Sequence, residues 1–136
     1  MTKKSSIDVE MAEVVDYSRL MGTFMPALRD VVERKFTADA ATKKGIKVGP
    51  GELQKGADTF RHAKGLSSAK DTEAWMNFHG ISLDTFEKFL EVNMLVAKFK
   101  DHLMQKTDKA KFLQHPEVKT LIRNLVYVNW LKKNFE

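Results

Sequence analysis

The stretch that decides the fold runs from Leu83 to Gln105 and reads LDTFEKFLEVNMLVAKFKDHLMQ. Its apolar residues recur at spacings of three and four, which is the period of an α-helix. They form two stripes, with Leu83, Phe86, Leu90, Met94 and Ala97 on one and Phe89, Val92, Val96, Phe99 and Leu103 on the other. A helix with so wide an apolar surface belongs at the centre of a fold. The stretch therefore predicts a long central helix.

The residues before this helix predict further amphipathic helices. Residues 8–44 have a helical pattern with a corner near Pro26, because proline is tolerated in the first turn of a helix and not in its interior. Pro50 opens the next helix, and Ser67 or Ser68 caps a short helix that Gly80 ends. No alternating strand pattern of useful length is present, so we expect almost no sheet.

The residues after it predict one more helix, which begins at His115-Pro116-Glu117. Its core at 121–131 is apolar nearly all round, so it must be enclosed by the domain or by a partner. We therefore predict an all-α fold: a single compact domain over 1–136 with about six helices, a long central helix and the C-terminal helix packed into the core. Residues 1–7 are expected to be disordered and residues 106–115 to form a linker.

The composition excludes several classes of protein. The chain has 136 residues, of which 43% are hydrophobic and 30% charged, and it contains no cysteine, so disulfides and thiolate metal sites are ruled out. The N-terminus lacks the apolar run of a secretory signal, and no stretch is long enough for a membrane span. We therefore expect a cytoplasmic protein that does not enter a membrane.

The positive charge is concentrated near the C-terminus. The net charge is +5, and residues 97–136 hold 9 Lys and Arg against 4 Asp and Glu. Such a cluster can attract nucleic acid or an acidic peptide. The basic residues that would make a nucleic-acid interface are Lys98, Lys100, Lys106, Lys109, Lys111, Lys119 and Arg123. They are dispersed along the chain and no aromatic residues are interleaved with them, so nucleic-acid binding is the third of three candidate functions.

No motif of a known chemistry is present. The chain has no phosphate-binding glycine loop, no nucleophile elbow, no pair of histidines at the spacing of a helical zinc site and no Glu-x-x-His pair. We therefore expect no cofactor, no metal and no catalytic residue.

Aromatic side chains are the better candidates for a binding surface, because aromatic residues and methionine make adaptable peptide-binding surfaces. The candidate peptide-binding residues are Trp75, Phe78, Phe86, Phe89, Tyr127 and Trp130. If a deep pocket exists instead, its polar candidates are His79, Asp58 and Arg61.

The middle of the chain resembles the N-terminal chaperone domain of SurA-type parvulin peptidyl-prolyl isomerases. The resemblance rests on Lys44-Gly45-Ile46-Lys47-Val48, on Gly51-Glu52-Leu53-Gln54, on Gly65-Leu66-Ser67-Ser68 and on Gly80-Ile81-Ser82-Leu83-Asp84-Thr85-Phe86, and it spans roughly residues 25–103. That family inserts a parvulin domain after the central helix, whereas only residues 106–115 stand there in this chain. The resemblance thus implies polypeptide holding without a proline-isomerase site.

The sequence is compatible with three functions. The first is a non-catalytic polypeptide-binding module of chaperone or escort type, whose partner is unfolded or extended polypeptide. The second is an enzyme or accessory subunit of a peptide-natural-product maturation system that holds a precursor or leader peptide on the same scaffold. The third is the basic nucleic-acid binder. The chain is expected to be a monomer or a helix-swapped homodimer.

Overall fold

The computed structural model describes residues 3–4 and 7–135, and the side chains of residues 7–135. In these residues the all-α prediction is confirmed. The elements are two strands and seven helices: β1 Lys3–Lys4, β2 Ile7–Asp8, α1 Met11–Leu20, α2 Phe24–Lys43, α3 Pro50–Ala63, α4 Ala69–His79, α5 Leu83–Lys106, α6 Ala110–Leu113 and α7 Pro116–Asn134.

The N-terminal segment contains a short pair of strands where it is described, and disorder over residues 1–7 stays a prediction. Lys3 pairs with Asp8 and Lys4 pairs with Ile7 in a short antiparallel ladder, in which the paired residues satisfy one another's backbone groups. Residues 1, 2, 5 and 6, which the same prediction covers, lie outside the described residues.

The residues that the sequence predicts to start or end helices lie at the observed helix ends. Pro26 lies in the first turn of α2, and Pro50 is the first residue of α3. Gly45 ends α2 with φ +81°, a left-handed conformation that glycine adopts without steric cost. The Ile46 amide then donates to the Ala41 carbonyl at 3.0 Å, which closes the α2 end with a hydrogen bond.

The long helix α5 is the centre of the packing in residues 7–99. Ala38 and Ala41 of α2 are buried against Leu95, with Ile46, Val48, Val92 and Phe99 packed around them. Further along α5, Phe86 and Leu90 are buried with Met76 of α4, with Leu53, Ala57, Phe60, Trp75 and Ile81 around them. Small residues at 38 and 41 let α2 approach α5 closely, which explains why alanine occupies these positions.

Polar contacts tie the same helices together. Arg34 of α2 donates from Nε to Asn93 Oδ1 at 3.0 Å and from Nη2 to the Phe89 carbonyl at 3.3 Å. Lys98 of α5 donates to the Lys47 carbonyl at 2.7 Å and pairs with Glu52 of α3 at 2.5 Å. One cation therefore links α5 to α2, and a second links it to α3 and to the loop before α3.

The chain divides into two units, Met1–Phe99 and Lys100–Glu136, with the division inside α5. The C-terminal unit holds the end of α5, the short helix α6 and α7. The segment expected to be a linker contains α6, which raises the number of helices from about six to seven. The prediction of one domain over 1–136 stays a prediction.

The expected burial of the C-terminal helix is not seen. None of the residues of α7 is buried, and the described residues 100–135 contain no buried side chain at all. The physical reason is size, since a unit shorter than about 40 residues rarely has enough chain to enclose a core of its own.

Candidate functional site

Four aromatic rings from three helices converge beside the core of the N-terminal unit. Phe60 of α3 stands in the middle, with its ring centroid 5.5 Å from Trp75, 5.0 Å from Phe86 and 6.2 Å from Phe89. The three contacts are edge-to-face, the arrangement that the ring quadrupoles favour. We call the depression that these rings border the aromatic cleft; Phe60, Lys64, Trp75, Ile81, Thr85, Phe86 and Phe89 line it.

The sequence places each ring through local structure. The Ser68 side chain accepts the amide hydrogen of Asp71 at 3.1 Å and so fixes the start of α4, one and a half turns before Trp75. Gly80, with φ +66°, ends α4 in a left-handed conformation and turns the chain into α5. Two caps therefore set the position of α4 relative to Phe86 and Phe89.

The cleft is open, apolar and small. It encloses about 240 Å³. Phe86 is only 7% exposed and forms its floor, whereas Phe89 is 43% exposed and stands at its edge. A volume of this size suits one large apolar side chain and not an extended ligand as a whole.

Two cations stand at the cleft's aromatic rings. The Lys64 ammonium lies 5.6 Å from the Phe60 centroid, and the Arg34 guanidinium lies 5.1 Å from the Phe89 centroid. Both distances fall in the range of cation–π attraction. Arg34 also donates to the Phe89 carbonyl, so it holds the backbone of the cleft edge as well as the ring. The surroundings of the cleft are therefore electropositive.

The structure brings together half of the predicted peptide-binding residues. Trp75, Phe86 and Phe89 border the aromatic cleft. Phe78 is 86% exposed and lies outside that lining. Tyr127 and Trp130 belong to the C-terminal unit, where their rings stack with centroids 6.3 Å apart.

The three polar pocket candidates do not line one cavity. Asp58 pairs with Arg61 one turn along α3, and both border a depression of about 470 Å³ together with His62. His79 is absent from that lining and instead packs against the Trp75 ring at 4.3 Å. The observed pair on α3 has the ordinary geometry of a helical ion pair at positions i and i+3.

Sequence reasoning missed the residue at the centre of the cleft. Phe60 follows Ala57 at a spacing of three on α3, which indicates an apolar face but not the rings that this face contacts. The contribution of Arg34 had no sequence signal, because its partners lie on another helix, whereas Lys64 follows Phe60 at the helical spacing of four. Spacing along a helix identifies a face and not what that face meets.

One carboxylate in the first turn of α3 has a perturbed pKa. The Lys98 hydrogen bond, followed by the donation from the Gly49 amide, holds the pKa of Glu52 below its ordinary value, although burial acts in the opposite direction. The carboxylate of Glu52 is 3.2 Å from the Gly49 nitrogen. This group caps the start of α3, the helix that carries Phe60.

The C-terminal unit has an apolar depression of its own. It encloses about 440 Å³ and is lined by Lys100, Leu103, Met104, Thr107, Lys109 and Phe112. Unlike the aromatic cleft, it rests on no buried residue. Across residues 7–135 we find no group of acidic and histidine side chains arranged to bind a metal, and none of the described helices has the length and apolarity to span a membrane.

Comparison of the chain with protein-family models, with curated proteins and with solved structures gives no match.

Proposed function

We propose that this protein binds extended, apolar segments of polypeptide without acting on them covalently, and that the aromatic cleft receives one large apolar side chain of the client. The observation that carries the proposal is the convergence of Phe60, Trp75, Phe86 and Phe89 on an open depression of about 240 Å³. An open aromatic depression with a buried floor is suited to an apolar anchor.

The size of the cleft sets the expected strength of binding. Burying one Leu, Phe or Met side chain contributes about 1.5–3 kcal/mol, which falls short of the roughly 4 kcal/mol that corresponds to a millimolar Kd. Useful affinity therefore needs further contacts. Exposed apolar residues on α2 supply a second surface in the same unit: Met25, Leu28, Val31, Val32 and Phe36. Several weak contacts tolerate many sequences, as a chaperone or escort requires.

The positive charge around the cleft defines the client further. Lys64 and Arg34 favour an anchor flanked by backbone carbonyls or acidic side chains. The proposal also agrees with the resemblance to SurA-type chaperone domains, in which the helical domain holds polypeptide. Holding a precursor peptide in a maturation system is the same chemistry with one dedicated client.

The test is a calorimetric titration of the full chain with a permanently unfolded polypeptide and with short peptides that carry one Phe or Leu beside an acidic residue. We expect a micromolar Kd for the long client, weaker binding of the short peptides and a negative heat-capacity change. Phe89→Ala should weaken binding at least tenfold. Phe78→Ala is the matched control, since Phe78 lies outside the cleft lining, and should change the Kd less than twofold.

The competing outcomes are distinct. Loss of binding that is equal in the two variants, or no binding of any client, would refute the cleft. Tight binding of a single peptide sequence alone would favour the dedicated precursor. Binding of nucleic acid with a steep dependence on salt, unaffected by Phe89→Ala, would favour the basic surface instead.

A further inference from the structure

The helix α7 presents a regular apolar seam that is left uncovered. Counting in heptads from Val118 places Val118, Leu125 and Lys132 at one seam position and Leu121, Val128 and Phe135 at the other. These are the alternating steps of three and four that pack two helices together. Leu125 is 55% exposed, Leu121 and Val128 are also exposed, and Val118 is half-buried.

The unit that carries this seam does not enclose a core. Its described residues, up to Phe135, include no buried side chain, and it is shorter than 40 residues. Units of that size usually need a metal, a disulfide or another chain to be stable. Disulfides are excluded here, because the chain has no cysteine.

The charges at the two ends of α7 complement one another. Glu117 lies in its first turn, and Lys132 and Lys133 lie in its last turn. In a parallel pair of two such helices, Lys132 would face the Lys132 of the other copy. In an antiparallel pair, Lys132 instead lies against Leu121 of the other copy, within one turn of its Glu117. Antiparallel pairing also aligns the helix dipoles favourably.

The antiparallel register is self-consistent along the seam. A two-fold axis between residues 126 and 127 pairs the seam residues in six layers of three kinds, each kind occurring twice: 118 with 135, 121 with 132 and 125 with 128. Each layer joins one position of the heptad to the other, as an antiparallel coiled coil requires. Two kinds of layer are wholly apolar, and in the third the aliphatic stem of Lys132 covers Leu121 while its ammonium extends toward Glu117.

We infer that the protein forms a homodimer in which α7 pairs antiparallel with α7 of a second copy. The contact is isologous, because the same surface meets itself across the two-fold axis. It is pairing of whole helices and not exchange of a helix between two folds. Six layers on a helix of 19 residues make a short interface, so a micromolar dissociation constant is expected. The aromatic cleft takes no part in this contact. A result that refutes the dimer therefore leaves the proposed peptide binding unaffected, and the reverse also holds.

Sedimentation equilibrium of the full chain across a range from low micromolar to several hundred micromolar tests the dimer. Leu125→Glu places a charge in each of the two central layers and should raise the dissociation constant about 100-fold or more. Val126→Glu is the matched control: this neighbour is 62% exposed but lies about 100° around the helix, off the seam. It should change the dissociation constant less than threefold, with unchanged helical circular dichroism in both variants.

Cysteine cross-linking tests the direction of the pair, because the natural chain has no cysteine to interfere. Leu121→Cys and Lys132→Cys chains should form a disulfide when the two are mixed, and far less when either is alone. Self-linking of each variant at its own position would overturn the antiparallel arrangement. A chain that stays monomeric throughout, or one whose dimer is weakened equally by Leu125→Glu and Val126→Glu, would overturn the inference altogether.

Discussion

Replacing Phe86 by alanine tests whether the aromatic cleft rests on a genuine core. Phe86 is 7% exposed, and its ring lies 5.0 Å from that of Phe60. A phenylalanine presents about 150–250 Å² of surface, and each Å² removed from water contributes about 25 cal/mol. Nearly complete burial therefore corresponds to about 4 kcal/mol, which agrees with the 3–5 kcal/mol measured for such truncations.

Phe89→Ala provides the internal comparison. Phe89 is 43% exposed and occupies the same helix, so the gain in helix propensity from alanine is the same at both positions. The same arithmetic gives about 2.5 kcal/mol for its burial. We therefore expect Phe86→Ala to lower the free energy of unfolding by at least 1 kcal/mol more than Phe89→Ala.

Urea denaturation followed by circular dichroism and by Trp75 fluorescence measures both losses. A Trp130→Phe background removes the only other tryptophan, so that the fluorescence reports the cleft alone. Equal losses for the two variants, or a loss below 1 kcal/mol for Phe86→Ala, would refute the idea that α3, α4 and α5 close over this ring.

Three further predictions concern the helix contacts. Arg34→Lys keeps the charge but loses the two-pronged donation to α5, so the free energy of unfolding should fall by about 1 kcal/mol in urea denaturation. Glu52→Gln should destabilise the fold at neutral pH and not in acid. The pKa of Glu52 in the folded protein lies below its ordinary value of 4.5, so its stabilisation is complete above pH 4.5 and is lost as the pH falls through the folded pKa. Thermal unfolding across pH 2–7 measures this difference. The same comparison in a Lys98→Met background should show a smaller difference between Glu52 and glutamine. Gly56→Ala should raise the stability by about 0.5 kcal/mol, because alanine favours the helix and the Met94 sulfur, 3.1 Å from the new Cβ, belongs to a flexible side chain; a thermal shift downward would contradict this.

Local signals were sufficient to place the helix ends of the N-terminal unit. Proline in a first turn, glycine after a last turn and serine before a helix each act through one or two backbone groups within four residues. The observed ends at Pro50, Ser68 and Gly80 follow from such groups. The wide apolar surface of α5 likewise predicted its central place in the packing, because a helix must bury the surface it presents.

The sequence predicted only part of the side-chain contacts between helices. Trp75, Phe86 and Phe89 were chosen for their chemistry, and they meet because α3 brings Phe60 between them. The same chemical criterion also selected Phe78, which lies one turn from Trp75 but outside the cleft lining. Residue type identifies what can pack against an apolar client, whereas the crossing of the helices decides which of these residues are available.

For α7, the period of the apolar residues does not determine what covers the helix. An apolar helix surface has the same sequence pattern whether a core or a second chain covers it. The apolar residues of a 3.5-residue period rotate by only about 20° per heptad relative to a 3.6-residue period. Over the 19 residues of α7 this drift is smaller than the width of its apolar surface. The sequence therefore indicated enclosure without identifying what encloses the helix. In the dimer that we propose, a second α7 encloses the helix, because the C-terminal unit is small and Lys132 of one copy lies near Glu117 of the other.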